Sequence, residues 1–320
     1  MEVAPGLHRL EMPLGNRVLY QHLFIGDRVV VIDTGIRETP ETVIFPYLES
    51  LGRDPAHIDL VLISHADADH FGGNEAIRRK APGAWIAAHR LDARWISDPA
   101  VIMEERYNQF SATHGMAYPD PVKTFLRNMM GAPVPVDLQL EGGETILVAP
   151  DRPLRILHLP GHTRGHIGIY DPVHGSAVLT DSALWKGLPD REGNIVMPPT
   201  YCHTETYRTT IRQVMNLELE TLCLSHYPLM RGKNDIADFL AETRRFAEQA
   251  EETVFSGLKK TGVWKSLKEI ITDADPVLGP FGDAKDELAY PLLGHLTELA
   301  DEGRIERALH DDITHWRYAR

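Results

Sequence analysis

The segment from Leu60 to Gly73 constrains the fold and the chemistry of this chain more than any other. It begins with an apolar run, Leu60 to Ile63, and ends at Gly72-Gly73, where a helical pattern starts. Between them lie four potential metal ligands within six residues: His65, Asp67, Asp69 and His70. The pattern predicts a buried strand, a turn and a helix. Because divalent zinc, iron and manganese accept imidazole and carboxylate ligands, we predict a cation in this turn, in preference to a polar loop with chance His and Asp.

The bulk composition is that of an ordinary globular protein, with 320 residues, 43% hydrophobic and 25% charged. A net charge of −13 disfavours a nucleic-acid partner, because phosphate binding needs clustered Lys and Arg. Cys202 and Cys223 lie in no Cys-rich spacing, unlike the cysteines of a secreted disulfide scaffold. The first residues do not form a signal peptide, and no apolar run approaches the roughly 20 residues needed to span a bilayer. We expect a cytoplasmic protein with a small-molecule substrate and no membrane association.

The order of the predicted elements is a run of β-hairpins up to Asp33, followed by β–α units. A segment rich in Met and aromatic residues, about 91–136, interrupts this order and predicts a helical insertion that either covers the core or shapes a substrate pocket. Residues 138–148 are predicted to form a hairpin turned at Gly142-Gly143. A second series of strands and helices follows, which suggests mixed sheets covered by helices.

The last part of the chain begins with a long helix, and the character of the sequence changes after Gly262. A long amphipathic helix, about 234–260, is followed by two helical segments and a β-hairpin, the outline of a small winged-helix unit. Acidic residues outnumber basic ones in this module, so packing or homodimer formation is a better expectation than DNA binding. We predict a catalytic domain over 1–232 and a linker helix with a winged-helix-like module over 233–320.

Three further ligand-type residues follow predicted strands: His162 in Pro160-Gly161-His162, Asp181 after Ala177 to Leu179, and His226 after Thr221 to Leu224. Any one of them alone is more often a structural polar residue than a ligand. Their joint placement at the carboxyl ends of strands indicates a shared site.

With these residues the chain resembles the metallo-β-lactamase superfamily of metal-dependent hydrolases. The family pattern is His-x-His-x-Asp-His followed by single His, Asp and His residues, and the match extends over roughly residues 5–232. The resemblance implies an α+β fold, the αββα sandwich, with two divalent metal ions at one edge between two mixed sheets. We expect zinc as the metal.

The resemblance also implies a role for each position. His65 and His162 would bind the first metal; Asp69, His70 and His226 would bind the second; Asp181 would bridge the two. Asp33 and His166 would support these ligands from behind.

Asp67 departs from the family pattern, which usually has His at this position. A carboxylate here would still bind the first metal, and would shift the metal preference toward iron or manganese. The alternative is that Asp67 turns away and leaves only the second site filled. We expect ligation.

The activity implied by the resemblance is hydrolysis of a small ester, thioester or lactone by a metal-activated hydroxide, with Asp69 orienting the nucleophile. The C-terminal outline is similar to the module of a superfamily branch with thioesterase-like and ribonuclease-like members. The alternatives are therefore an endoribonuclease or phosphodiesterase, and a non-enzymatic binding protein with a degraded metal site. Tyr201 and His203 follow the Asp181 segment and are candidate substrate contacts, although packing and helix capping explain them equally well.

Overall fold

The computed structural model describes residues 1–319 and consists of two β-sheets with helices on both outer faces. The first sheet contains seven strands in the order of the sequence, antiparallel from the first to the fourth and parallel from the fourth to the seventh. Its strands are β1 (Glu2–Ala4), β2 (Leu7–Leu14), β3 (Arg17–Ile25), β4 (Val29–Ile32), β5 (Leu60–Ile63), β6 (Trp85–His89) and β7 (Leu138–Leu140).

The second sheet has six strands in the order β8-β9-β10-β11-β14-β15, and β12 pairs with β13 in a separate small ribbon. The strands are β8 (Thr145–Ala149), β9 (Arg152–His158), β10 (Ile167–Asp171), β11 (Ser176–Val178), β12 (Leu188–Pro189), β13 (Ile195–Met197), β14 (Thr221–Cys223) and β15 (Met230–Arg231). The predicted hairpin over 138–148 is wrong, because β7 belongs to the first sheet and β8 to the second. Gly142 and Gly143, both with positive φ, carry the chain from one sheet to the other.

The helices complete the sandwich. They are α1 (Phe45–Ser50), α2 (Ala68–Phe71), α3 (Asn74–Lys80), α4 (Ala93–Ser97), α5 (Pro99–Glu105), α6 (Ser111–His114), α7 (Asp120–Met129), α8 (Thr204–Met215), α9 (Lys233–Thr261), α10 (Leu267–Leu278) and α11 (Ala289–Asp301). A π-helical turn spans Pro40–Ile44, and 3₁₀ turns span Pro55–His57 and Gly282–Leu288. The predicted insertion consists of the four short helices α4 to α7. No helix within residues 1–319 has the length and the apolar run that a membrane-spanning segment needs.

Successive side chains along a strand point to opposite faces of its sheet, and apolar residues on both faces allow each sheet to pack against the other sheet and against helices. In β4, Val30 and Ile32 pack toward the second sheet, while Val29 and Val31 pack toward the helices on the other side. The layer between the sheets joins residues such as Phe24 of the first sheet to Ile156 of the second. These layers confirm the predicted α+β, αββα architecture.

The C-terminal module consists of α10, α11 and a three-stranded sheet in the order β16 (Lys265–Ser266), β18 (Ile313–Tyr318) and β17 (Ile305–His310). Its apolar residues, among them Leu296 and Trp316, belong to the same cluster as Leu159 and Tyr207 from earlier in the chain. The module therefore packs against α8 and α9. Its identification as a winged helix, and the boundary at residue 232, stay predictions.

Candidate metal centre

The predicted ligands converge at one edge of the sandwich because each follows the end of a strand. Asp33 follows β4, and the motif from His65 to His70 follows β5 in the first sheet. From the second sheet, His162 follows β9, Asp181 follows β11 and His226 follows β14. Three overlapping clusters of metal-ligand type result: His65, Asp67 and His162; His65, His70 and Asp181; Asp69, His70 and His226.

The cluster around Asp181 has the geometry of a metal site. The Nε2 atom of His70 lies 3.5 Å from Asp181 Oδ2 and 3.9 Å from Asp69 Oδ1. The Nε2 atom of His226 lies 3.4 Å from Asp181 Oδ2 and 3.6 Å from Asp69 Oδ2. Two donors that bind one zinc ion at about 2.0–2.1 Å lie about 2.9–3.4 Å apart, depending on the coordination angle. The observed separations are close to these values and longer than ordinary hydrogen bonds.

Orphaned polar atoms in this cluster also fit a cation. His70 Nε2 and Asp181 Oδ1 are buried and have no hydrogen-bond partner among the described residues. Burial opposes protonation of His70, but the carboxylates of Asp33, Asp69 and Asp181 raise its pKa well above the ordinary value. The surplus negative charge that raises this pKa also attracts a metal ion. Asp69, His70, Asp181 and His226 therefore fit a divalent cation.

Asp33 orients the two histidines of the motif from behind. Its Oδ2 accepts a hydrogen bond from His70 Nδ1 at 2.7 Å and another from Ser64 Oγ at 2.7 Å. Because the Ser64 hydroxyl donates its proton to Asp33, Ser64 Oγ is free to accept a hydrogen bond from His65 Nδ1 at 2.9 Å. Both Nε2 atoms are thereby left with lone pairs toward the centre. The role predicted for Asp33 thus has a definite set of hydrogen bonds.

The other ligands are held in a similar way. His226 Nδ1 donates to the carbonyl oxygen of Val18 at 3.2 Å, which leaves its Nε2 free for a metal. His166 is fully buried, stacks on His65 and places Nε2 3.0 Å from Thr180 Oγ1. The structure thus brings His166 to a position behind the ligands.

The Asp67 side of the centre differs, because Asp67 binds an arginine of the helical insertion. Arg106 Nε donates to Asp67 Oδ1 at 2.7 Å, and Arg106 Nη2 donates to Oδ2 at 2.8 Å. His162 Nε2 lies 2.7 Å from Asp67 Oδ2. Burial opposes ionisation of Asp67, but Arg106 outweighs it and holds the pKa of this carboxyl well below its usual range.

Asp92 joins the loops that carry Asp67 and His162. Its carboxylate accepts hydrogen bonds from Ala66 N at 3.1 Å, Thr163 Oγ1 at 2.5 Å and Gly165 N at 2.8 Å. A side chain at Gly165 would place its Cβ 2.6 Å from Asp92 Oδ1, so this close approach requires glycine. Sequence reasoning did not identify Asp92, which lies in an ordinary-looking turn after β6.

The centre opens into a pocket of about 190 Å³. One wall is apolar and comes from α7, with Val122, Phe125, Leu126 and Met129. Arg17 and Arg106 supply positive charge, and Glu287 and Tyr290 enter from the C-terminal module. Tyr118 of the insertion donates a hydrogen bond to the Glu287 carboxylate at 2.8 Å, which closes this side of the pocket. The insertion and the module therefore both shape the pocket.

The structure does not bring Tyr201 and His203 to this pocket. Tyr201 is fully buried, stacks on Tyr207 and makes a 2.8 Å hydrogen bond between its hydroxyl and His295 Nε2. His203 precedes α8, makes no side-chain cap there and lines a separate cavity with Arg164. Packing explains Tyr201, since its ring leaves no surface for a substrate.

The comparisons with known proteins agree with this fold. The sequence model of the metallo-β-lactamase superfamily matches residues 15–226. A metallo-β-lactamase family protein from Thermus thermophilus superimposes with a TM-score of 0.75 at 21% identity, over 98% of this chain and 99% of that one. A β-lactamase domain protein from Burkholderia ambifaria gives a TM-score of 0.76 at 19% identity, over 100% and 93%.

Curated relatives match over a shorter stretch. Hydroxyacylglutathione hydrolase of Cereibacter sphaeroides (strain ATCC 17029 / ATH 2.4.9) is 25% identical over 155 residues, 48% of this chain and 45% of the relative. The acyl-coenzyme A thioesterase MBLAC2 of Bos taurus is 28% identical over 200 residues, 55% of this chain and 63% of the relative. The chain thus spans about half of the first relative and less than two thirds of the second. Since the superfamily model matches well over half of its residues, the chain belongs to the metallo-β-lactamase superfamily.

Proposed function

We propose that this protein is a metal-dependent hydrolase of a small acyl thioester, with esters and lactones in the same reactivity class. The observation that carries the proposal is the cluster of Asp69, His70, Asp181 and His226, whose donor atoms have metal-site spacing at the floor of a pocket. The names of two relatives, a hydroxyacylglutathione hydrolase and an acyl-coenzyme A thioesterase, favour a thioester. Zinc suits the mixed imidazole and carboxylate donors, and iron or manganese are the alternatives.

A divalent ion held by these residues supplies Lewis acidity and a hydroxide nucleophile near neutral pH. The chain supplies the remaining requirements. Asp69 is partly exposed to the pocket, with 17% of its side chain accessible, so its carboxylate can orient the nucleophile and accept its proton. Arg106 lines the same pocket, where its guanidinium charge would stabilise a substrate carbonyl oxygen as that oxygen gains negative charge.

The pocket size restricts the part of the substrate that enters. A volume of about 190 Å³ is below the roughly 300–1,000 Å³ typical of ligand pockets. The apolar residues of α7, including Phe125 and Met129, offer their surface to the acyl chain. We therefore expect a short acyl group to enter and the thiol carrier to remain outside. The net charge of −13 counts against the ribonuclease alternative.

The test is a matched substrate panel with zinc-loaded protein. Acetyl-coenzyme A, p-nitrophenyl acetate and a γ-lactone represent the proposed class, and bis(p-nitrophenyl) phosphate represents phosphodiesters. We expect kcat/KM for the thioester to exceed that for the phosphodiester by about 100-fold or more. Dialysis against EDTA should abolish turnover, and added zinc should restore it.

Two aspartate variants make the assay specific to the site. Asp69→Asn should lower kcat by about 10²–10⁴-fold, because it removes the group that accepts the proton. Asp27→Asn, in the exposed turn between β3 and β4, is the matched control and should leave kcat unchanged. Cleavage of the phosphodiester alone, or no metal-dependent turnover of any acyl compound, would refute the proposal.

A further inference from the structure

The Asp67 side of the centre already contains a cation that belongs to the protein. Arg106 meets the Asp67 carboxylate with two parallel hydrogen bonds, the forked geometry of the strongest arginine–carboxylate pairs. Only 4% of the Arg106 side chain and 16% of the Asp67 side chain are accessible to solvent. The charge that a metal would balance on Asp67 is therefore balanced by a guanidinium, which does not lose its proton in proteins.

The remaining acceptor positions of Asp67 are also filled. A carboxylate offers about four lone-pair positions. Oδ1 receives Arg106 Nε and the Tyr107 hydroxyl, the latter at 3.1 Å. Oδ2 receives Arg106 Nη2 and lies 2.7 Å from His162 Nε2. Metal binding at Asp67 would have to break at least one of these contacts.

The distance from His162 to Asp67 is shorter than the distances between the donor atoms around Asp181. At 2.7 Å, His162 Nε2 and Asp67 Oδ2 have the separation of a direct hydrogen bond. This value is below the about 2.9 Å expected for two donors bound to one zinc ion even at a right angle. The Thr200 hydroxyl lies 3.4 Å from His162 Nδ1 and can donate to it, in which case the ring carries its proton on Nε2 and donates to Asp67 Oδ2. His65 Nε2 lies farther from Asp67 Oδ2, at 3.6 Å, so the contact that does not fit a metal beside Asp67 is the one with His162.

We propose that the protein binds one metal ion per chain, through Asp69, His70, Asp181 and His226, and that Arg106 takes the place of the first ion of the family's pair. Asp67 is then the anchor of Arg106, which explains why a carboxylate replaces imidazole at this position. The paired guanidinium remains on the pocket wall as a fixed positive charge for the substrate oxygen. This role of Arg106 rests on the proposed function, whereas the metal count does not.

The direct test is the zinc content of wild-type protein, measured by inductively coupled plasma mass spectrometry after equilibration with excess zinc and removal of free ion. We expect one zinc per chain. Two per chain would overturn the proposal, whatever the activity. Isothermal titration of metal-free protein should agree, with a single stoichiometric step and no second site.

Two variants test whether Arg106 is what excludes a second zinc ion. The double variant Asp67→His with Arg106→Leu restores the family's ligand pattern and removes the cation, so it should bind two zinc ions. Arg17→Leu removes the other arginine of the pocket and is the matched control, which should stay at one. If the folded double variant, checked by circular dichroism, still binds only one zinc, Arg106 is not what excludes the second ion. If it does not fold, the wild-type count still decides the proposal.

The one-metal proposal and the proposed activity can be refuted independently of each other. One zinc per chain without hydrolysis of any acyl compound would keep the one-metal site and refute the proposed activity. Two zinc ions with thioester hydrolysis would keep the activity and refute the one-metal site.

Discussion

Both sides of the candidate metal centre contain buried or half-buried carboxylates, Asp67 on one side and Asp69 and Asp181 on the other, but the groups that face these carboxylates differ. On one side, the Asp67 carboxylate is neutralised by Arg106 from the helical insertion. On the other, Asp69 and Asp181 face His70 and His226, with donor atoms 3.4–3.9 Å apart and orphaned lone pairs between them. A buried carboxylate needs a compensating charge, which the Arg106 side chain supplies at Asp67 and which, in the proposed one-metal site, an ion supplies at the neighbouring positions.

The difference matters for what each side can do. A metal ion can exchange ligands and activate water, whereas a guanidinium offers only fixed positive charge and N–H donors. We therefore assign nucleophile formation to the Asp181 side and charge stabilisation to the Asp67 side.

The largest contrast is expected between His226→Ala and His162→Ala. If only the Asp181 side binds metal, His226→Ala should lose most of its zinc and lower kcat/KM by about 10³-fold, which is about 4 kcal/mol. His162→Ala should keep about one zinc per chain, because its ring contacts Asp67 and Arg106. Zinc analysis of both purified variants tests this contrast. Equal zinc loss in both would show that the two sides share the metal.

Asp67→Asn should cost more stability than metal affinity. The amide leaves the buried Arg106 without its counter-charge, so the free energy of unfolding should fall by about 3–5 kcal/mol. Urea denaturation of metal-free protein measures this cost without a contribution from ligand binding. Glu41→Gln breaks the exposed ion pair with Arg79 and is the control, with an expected loss below about 1 kcal/mol. A loss below about 1 kcal/mol for Asp67→Asn would contradict the role of Asp67 as the ion-pair partner of Arg106.

The sequence was sufficient for the fold and for the convergence of the ligands. Asp181 and His226 had to meet because β11 and β14 are parallel neighbours whose ends lie at one sheet edge. The motif after β5 belongs to the other sheet, and its approach to them follows from the stacking of the two sheets that the family resemblance implied. The hairpin over 138–148 failed because paired glycines are as suitable for a crossover between sheets as for a tight turn.

Arg106 could not be identified from the sequence. A buried carboxylate at position 67 predicts some cationic partner, but several arginines and lysines lie in the insertion, among them Arg94, Lys123 and Arg127. Only the packing of α5 against the motif selects Arg106. Glu287 and Tyr290 were missed for a related reason, since they reach the pocket from a module about 200 residues away from the motif.

Asp33→Asn should weaken zinc binding by about 10–100-fold, the usual cost of removing a carboxylate that orients a ligating histidine. The amide disturbs the hydrogen bonds to His70 Nδ1 and Ser64 Oγ, so His70 Nε2 is no longer held toward the Asp181 side. Competition with a chromophoric zinc chelator measures the dissociation constant. Asp92→Asn is the matched variant on the other side and should lower stability while leaving zinc affinity within about threefold. Equal affinity losses would contradict the asymmetry.

Glu287→Gln should have the smallest effect and should depend on pH. Burial raises the pKa of Glu287 to about 7; the hydrogen bond from Tyr118 and the charge of Arg17 oppose this, while Asp67 and Asp286 add to it. The ordinary value, 4.5, applies to the unfolded chain. Between these two values the folded state binds more protons than the unfolded state, so wild-type stability should fall as pH rises through this window.

The glutamine variant cannot lose a proton at this position, so its free energy of unfolding should not show this decrease between about pH 4.5 and 7. Its free energy of unfolding relative to wild type should be constant below about pH 4.5, rise through the window and level off above pH 7, by about 1–2 kcal/mol in total after allowance for the partial exposure of Glu287. Urea denaturation of metal-free protein at pH 4.5, 6 and 8 measures the difference, and the exposed Glu38→Gln is the control. A difference that does not change with pH would mean that folding does not raise the pKa of Glu287, and that burial of this carboxyl is offset within the pocket.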